Sequence, residues 1–108
     1  MVSYKRFSVW MVNLNPTKGS EQAGCRPVLV ISPTEMNQHL NTVLVAPMTT
    51  ALRGWPTRIT VHHENKQGEV ALDQIRTLDK VRLQSSMGLL AKKFHRPVLA
   101  ALAELFAA

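Results

Sequence analysis

Arg26 is the first residue whose type and setting suggest chemistry. It follows a polar run that contains Gly19 and Gly24, and it stands before Pro27, which biases the arginine toward an extended backbone. An arginine held at the mouth of a strand can aim its planar guanidinium at two oxygens of one phosphate. A surface ion pair with Glu21 is the structural alternative, and the residues alone leave both interpretations open.

Two adjacent hydroxyl side chains, Thr49 and Thr50, follow the apolar run that ends in Ala46-Pro47-Met48. Hydroxyl groups at the point where a strand becomes a loop commonly bind phosphate. The alternative is that each hydroxyl satisfies the backbone of a turn.

Asp73, Gln74 and Arg76 place an acid, an amide and a cation within four residues after another predicted strand. Such a set could contact bases, orient a catalytic group, or form a structural ion pair between Asp73 and Arg76. All three interpretations stay open at this point.

Trp55 lies in a polar segment between Arg53 and Arg58. An aromatic ring beside arginines can stack on a nucleotide base while the cations contact phosphate. The alternative is an indole that packs against the body of the domain.

Other reactive residue types offer less. His62 and His63 are adjacent, so in a strand they would point to opposite faces, and we interpret them as part of a solvated turn. The single cysteine, Cys25, excludes an intramolecular disulfide framework and a cysteine-based zinc site. We expect no metal and no cofactor.

Short strands followed by one helix must position these groups. Apolar runs and alternation predict five strands, over residues 8–14, 27–31, 42–46, 57–61 and 68–72. We expect a loop over 15–24, a short helical turn over 34–40 and a second loop over 48–55. Residues 62–67 read as a polar turn, and 78–87 stay ambiguous.

The last segment, 97–106, predicts a helix that starts at Pro97. The residues that we expect on its buried stripe are Val98, Leu99, Leu102, Leu105 and Phe106. Together the elements predict a mainly β fold with a small curled sheet or barrel and a C-terminal helix.

The whole chain has 108 residues, 45% of them hydrophobic and 19% charged, which predicts a single globular domain over 1–108. Thirteen basic against seven acidic side chains give a net charge of +6, which favours a polyanionic partner. No apolar run is long enough to span a bilayer, and no apolar stretch follows Lys5 and Arg6. We therefore expect a cytoplasmic protein.

Several of these segments together resemble the MazF/PemK family of toxins from bacterial toxin–antitoxin systems. The matching segments are Val9-Trp10, residues 13–24, Arg26-Pro27, Ser32-Pro33, Pro47-Met48-Thr49-Thr50, Gly54-Trp55-Pro56 and residues 72–77. The resemblance covers nearly the whole chain, and the run from 15 to 27 is long and specific.

The resemblance implies an SH3-like barrel with helices, assembled as a homodimer. It also implies a ribosome-independent, metal-independent endoribonuclease that cleaves single-stranded mRNA at a short motif. A cognate antitoxin would block the RNA groove, and toxin and antitoxin together would bind operator DNA. Two alternatives on the same fold are a toxin that binds and poisons DNA gyrase, and a member that only regulates an operon or binds RNA.

By position, the resemblance places the catalytic arginine on Arg26 and the catalytic threonine on Thr49, with Glu21 in the loop that supports the arginine. The residues that we expect to contact RNA are Ser20, Gln22, Thr50, Arg53, Trp55, Asp73, Gln74 and Arg76. Some PemK-type members have a histidine where this chain has Ser20, and an arginine where it has Ala71. These departures favour the Arg–Thr arrangement and leave the role of Asp73 open.

Metal-free RNA cleavage uses the 2′-hydroxyl of the substrate as nucleophile and yields a 2′,3′-cyclic phosphate and a 5′-hydroxyl end. Arg26 suits stabilisation of the phosphorane-like state, and Thr49 can donate to the same phosphate. The group that accepts the 2′-proton stays open, because an arginine remains protonated, with a pKa above about 12. Glu21 and Asp73 are the candidates.

Overall fold

Seven strands and two α-helices follow one another in a computed structural model that describes residues 4–15, 19 and 24–108. The strands are β1 (Ser8–Asn13), β2 (Cys25–Val30), β3 (Thr42–Thr49), β4 (Arg58–His63), β5 (Lys66–Ala71), β6 (Arg76–Asp79) and β7 (Leu83–Leu89). The helices are α1 (Thr34–His39) and α2 (His95–Leu105). Single 3-10 turns cover Leu72–Gln74, Lys80–Arg82 and Lys92–Phe94. None of the helices in this part of the chain is long and apolar enough to cross a membrane.

All strand pairs are antiparallel, in the order β4-β5-β3-β2-β1-β7, and β6 also pairs with β3. β3 changes partner along its length, pairing with β6 through Thr42–Val45 and with β5 through Met48 and Thr49. A strand shared in this way bends the sheet on itself. The curled sheet and the C-terminal helix confirm the predicted fold class.

The central strands are buried on both faces, which explains their continuous apolar runs. Leu29 and Ile31 belong to the core that α2 covers through Val98, whereas Val28 and Val30 belong to a second core on the opposite face with Trp10. Successive side chains of a strand point to opposite faces, so an unbroken Val-Leu-Val-Ile run supplies both cores at once.

Pro47 does not end β3, so the predicted end of this strand at Ala46 is wrong. The strand continues to Thr49, and Pro47 is paired with Val28 of β2. On the other edge of β3, Pro47 lies between the last residue paired with β6 and the first one paired with β5. A proline is tolerated where a strand edge has no ladder partner, because its missing N–H then removes no hydrogen bond.

The β4–β5 hairpin is longer than predicted, because only Glu64 and Asn65 form the turn. Both have positive φ, 49° and 64°, as a tight two-residue hairpin requires. His63 and Lys66 are therefore a cross-strand pair, and the prediction of a polar turn over 62–67 is wrong. The ambiguous segment 78–87 contains the end of β6 and most of β7.

α2 begins two residues before Pro97, which still lies in the first turn, where its missing N–H costs no helical hydrogen bond. The predicted buried stripe is only partly correct. Val98 is fully buried and Leu102 packs on the core, but Leu99, Leu105 and Phe106 are 39%, 40% and 76% exposed.

Candidate active site

A cleft of about 210 Å³ opens where the ends of β2 and β3 meet the β4–β5 hairpin. Arg26 enters it from β2, Thr49 and Thr50 from the end of β3, and His63 from β4, with further walls from β1, β5 and β7. Charged and hydroxyl side chains thus converge on one concave surface, as binding sites for small polar groups require.

The register of β2 against β3 brings Arg26 and Thr49 together. Val28 is opposite Pro47, and in an antiparallel pair one step back on the first strand matches one step forward on the second. Val28 and Pro47 are the last pair of this ladder, and continuing the same register by two steps leads to Arg26 and Thr49, whose side chains both line the cleft. The two residues are distant in sequence, so the sheet alone makes them neighbours.

The Thr49 hydroxyl is buried and accepts a hydrogen bond from the backbone N–H of Ala51, with an N···O distance of 3.2 Å. The turn-stabilising role considered for this threonine is therefore real. Because the oxygen is the acceptor in that bond, the hydroxyl hydrogen stays available for a ligand. The structural role and the phosphate-binding role are compatible.

Gly68 lets β5 approach the end of β3 closely. A Cβ atom built on Gly68 would lie 2.7 Å from the carbonyl oxygen of Thr49, closer than real Cβ contacts. Any side chain here would move the hairpin away from Thr49. The position of the hairpin wall of the cleft thus requires glycine at residue 68.

His63 is a residue of the cleft that our interpretation of the sequence missed. Its Nε2 lies 2.6 Å from the carbonyl oxygen of Met87 in β7, and the ring is half-buried. The signal was the alternation of β4: Val61 and His63 are two residues apart and share a face. A two-residue turn at Glu64 and Asn65 would have extended that alternation to His63.

A buried carboxylate organises the loop between β3 and β4. The two side-chain oxygens of Glu69 accept hydrogen bonds from the backbone N–H groups of Arg53 and Gly54, each at 2.9 Å. Glu69 is 1% exposed and sits opposite Thr49 in the β3–β5 pairing. The loop after Thr49 is therefore tied to the same strand that closes the cleft.

Trp55 projects from this loop with 48% of its surface exposed. The guanidinium carbon of Arg58 lies 4.8 Å from the centre of the indole ring, and that of Arg53 lies 5.6 Å from it. Both distances suit cation–π attraction. The indole is held by the two arginines rather than by the core.

Asp73 forms an ion pair with Arg58, not with Arg76. The Arg58 Nε donates to one carboxylate oxygen at 2.7 Å and Nη2 to the other at 3.1 Å, and the Thr57 hydroxyl adds a third hydrogen bond at 3.0 Å. The hydrogen bond from Arg58 lowers the pKa of Asp73, and the same bond raises the pKa of Arg58. The alternative of a structural Asp73–Arg76 ion pair is wrong, because Arg76 donates to the carbonyl oxygen of Leu14, 3.4 Å away.

A family model for the PemK-like, MazF-like toxin of type II toxin–antitoxin systems matches residues 5–106. The chain belongs to this family. The resemblance noted from the sequence is thereby confirmed, and with it the class of enzyme, since curated members of the PemK/MazF family bear the name endoribonuclease.

One such relative, endoribonuclease MazF of Staphylococcus epidermidis, is 35% identical over 94 residues, which are 82% of this chain and 78% of the relative. Among solved structures, MazF of Deinococcus radiodurans superposes with a TM-score of 0.86 at 25% identity, covering all of both chains. A mycobacterial endoribonuclease in complex with its cognate antitoxin has a TM-score of 0.78 at 26% identity, covering 96% of this chain and 93% of that one.

On this PemK/MazF scaffold, the cleft contains Arg26, Thr49 and Thr50 of the predicted site. Arg53, Trp55, Asp73, Gln74 and Arg76 do not line it. The remaining predicted site residues, Ser20, Glu21 and Gln22, lie outside the described residues. Within 4–15, 19 and 24–108, no three His, Cys, Asp or Glu side chains converge to hold a metal ion.

Proposed function

We propose that this chain is the toxin of a type II toxin–antitoxin system and cleaves single-stranded RNA by attack of the substrate's own 2′-hydroxyl. The products are a 2′,3′-cyclic phosphate and a 5′-hydroxyl end, and no metal takes part. The observation that carries the proposal is the presence of Arg26 and Thr49, at adjoining strand ends, in one cleft.

Each group has a role that its chemistry suits. The guanidinium of Arg26 stabilises the negative charge that develops on the two non-bridging phosphate oxygens, because its fork can donate to both. Thr49 donates its free hydroxyl hydrogen to the same phosphate, and its oxygen is held in place by Ala51. Thr50, at the rim of the cleft, contacts the neighbouring sugar-phosphate.

The test is cleavage of a long transcript by the parent and by Arg26→Ala, with and without EDTA. We expect EDTA to leave cleavage unchanged and Arg26→Ala to slow it by at least about 10²-fold, the usual effect of losing one oxyanion donor. Arg96→Ala removes the same charge from an exposed position on α2 and serves as the control.

A DNA oligonucleotide of the cleaved sequence lacks the nucleophile and should stay intact. Parent protein that leaves every transcript intact while it inhibits DNA gyrase would replace this proposal by the gyrase-poison alternative. Arg26→Ala that cleaves at the parent rate would remove the assigned role of the arginine.

The loop that carries Arg53 and Trp55 is proposed as an RNA-binding surface. Support comes from the half-exposed indole with the exposed Arg53 beside it, which suits a base stacked on the ring and a phosphate on Arg53. Arg58 also lies on the indole but is buried and bound to Asp73. Four further residues stay predicted RNA contacts: Ser20, Gln22, Gln74 and Arg76. Asp73 also stays a predicted RNA contact, although its carboxylate is already paired with Arg58.

Trp55→Ala should weaken the binding of single-stranded RNA by about tenfold, since stacking of one base contributes on the order of 1–3 kcal/mol. The rate of cleavage at saturating RNA should change much less. Fluorescence anisotropy with a non-cleavable 2′-deoxy analogue measures the affinity. The exposed apolar residue Val81, replaced by Ala, is the control. Unchanged affinity of the Trp55 variant would rule out stacking.

A cognate antitoxin that covers the cleft, a homodimeric toxin and joint binding of operator DNA complete the proposed system. The structural similarity to an endoribonuclease in complex with its antitoxin supports the first. The exposed apolar residues of α2, Leu99, Leu105 and Phe106, support association with a second copy.

A further inference from the structure

His63 is a side chain of the cleft that neither the family motifs nor the roles above use. It lines the same cleft as Arg26 and Thr49, at the last position of β4. The proposed cleavage also lacks one component, a group that removes the proton from the 2′-hydroxyl. Of the two candidates from the sequence, Glu21 lies outside the described residues and stays a prediction, whereas Asp73 is paired with Arg58 and does not line the cleft.

The contact with β7 determines which nitrogen of His63 carries the hydrogen. A carbonyl oxygen can only accept a hydrogen bond, so Nε2, 2.6 Å from the Met87 oxygen, must be the protonated nitrogen. In the neutral ring Nδ1 then has the free lone pair. A hydrogen bond to one ring nitrogen that leaves the other basic is the usual arrangement for a histidine that accepts protons.

The hairpin holds this ring firmly. His63 is paired with Lys66 across a two-residue turn, and Gly68 brings the same hairpin against the Thr49 carbonyl. The pairing with β5 thus positions the backbone of His63, and the hydrogen bond to Met87 in β7 positions its ring. A fixed ring at the wall of a reaction cleft is what general base catalysis needs.

We infer that neutral His63 accepts the proton of the attacking 2′-hydroxyl through Nδ1, an inference that rests on the proposed function. The O2′–P bond forms, the P–O5′ bond breaks, and the O2′ proton becomes the second ring proton of His63. A water molecule protonates the leaving O5′, and the imidazolium returns its proton to solvent. The net reaction moves one proton from O2′ to O5′, and nothing is oxidised or reduced.

Charged side chains surround His63 in the cleft. Within the described residues, the other titratable or charged groups that line it are Cys25 and Arg26 from β2 and Glu64 and Lys66 from the hairpin of His63 itself.

The test compares His63→Gln with His62→Gln. The glutamine amide at 63 can still donate to the Met87 oxygen but cannot take up a proton at neutral pH. We expect His63→Gln to lower kcat/KM by about 10² to 10⁴-fold. Its affinity for a 2′-deoxy analogue and its melting temperature should stay close to the parent's. His62, exposed and near Phe94 at 6.4 Å, is outside the cleft, so His62→Gln should behave as the parent.

A substrate with a bridging sulfur at the 5′ position separates a base from an acid, because the thiolate leaves without a proton. His63→Gln should stay slow on it; recovery of the parent rate would show that His63 acts on the leaving group and would overturn the inference. Parent-like kinetics of His63→Gln on normal RNA, with Arg26→Ala inactive, would also overturn it while the proposed function stands. A parent protein that leaves RNA intact would remove both.

Discussion

At the scale of single residues, one cluster of charges beside the cleft has a structural role. Arg58 is nearly buried, and its guanidinium is shared between Asp73, by two hydrogen bonds, and Glu69, whose oxygen lies 3.9 Å from Nη1. Removing one partner from such a group leaves an uncompensated buried charge, which costs more than the ion pair itself contributes. Asp73, a candidate proton acceptor in the sequence analysis, is thus first of all a structural group.

Asp73→Asn should lower the free energy of unfolding by about 1–3 kcal/mol at pH 7, the usual loss for a hydrogen bond to a charged group. The hydrogen bond from Arg58 lowers the pKa of Asp73 below its ordinary value of 3.8 in the folded protein. As the pH falls, the Asp73 carboxylate of the unfolded chain therefore takes up its proton before that of the folded chain does. The stabilisation is therefore complete above the ordinary pKa and is lost as the pH falls through the lowered one.

Urea unfolding at pH 7 and at pH 3 measures this effect. The difference between parent and Asp73→Asn should shrink at the lower pH, whereas the exposed Asp79→Asn should match the parent at pH 7. A difference that is equal at both pH values would show that the Asp73 charge contributes nothing.

At the scale of elements, the cleft exists because the ends of β2 and β3 meet the β4–β5 hairpin. β3 supplies Thr49 only because it continues through Pro47, and the hairpin supplies His63 only because its turn is two residues long. The close approach of β5 to β3 leaves no room for a side chain at position 68, since Gly68 lies directly against the Thr49 backbone.

Gly68→Ala should lower stability by about 1–3 kcal/mol, the range for overpacking, and should slow RNA cleavage by about tenfold or more. The new methyl group would lie 2.7 Å from the Thr49 carbonyl oxygen, so β5 and Thr49 must move apart. Cleavage is measured at a temperature at which the variant is fully folded. Gly88→Ala adds a methyl group to open space at a φ of +80°, so it tests strain without displacement. Parent-like cleavage by Gly68→Ala would show that the spacing does not matter.

At the scale of the whole molecule, a net charge of +6 is combined with exposed apolar side chains on α2. α2 buries only Val98 completely and leaves Phe106 76% exposed. A basic surface suits RNA, and exposed apolar side chains on one helix suit a partner.

The parent protein should have twice the monomer mass of 12.1 kDa in solution, and Phe106→Glu should shift it toward the monomer. Light scattering coupled to size-exclusion chromatography at micromolar concentrations measures the mass. Val81→Glu introduces the same charge at an 89% exposed apolar residue outside α2 and should leave the mass unchanged. A parent protein that is monomeric at these concentrations would contradict the proposed homodimer.

Local patterns in the sequence predicted five of the seven strands in the described residues, the β4–β5 hairpin and the final helix, but not β6 and β7. The run at 27–31 predicted a strand buried on both faces, and both cores contain residues from it. The predicted ends of the elements were less accurate, because the pairing between strands determines where each strand ends. Pro47 is tolerated in β3 because it lies where the partner of β3 changes from β6 to β5. Local residue propensities do not indicate that change of partner.

The sequence by itself determined the family, the fold class and the two motif residues Arg26 and Thr49, because these depend on residue types at short spacings. Only the tertiary structure decided their neighbours. It paired Asp73 with Arg58, tied Glu69 to the loop before Trp55, and brought His63 into the cleft. These contacts join residues from different strands, and their register depends on the packing of the whole sheet rather than on any one segment.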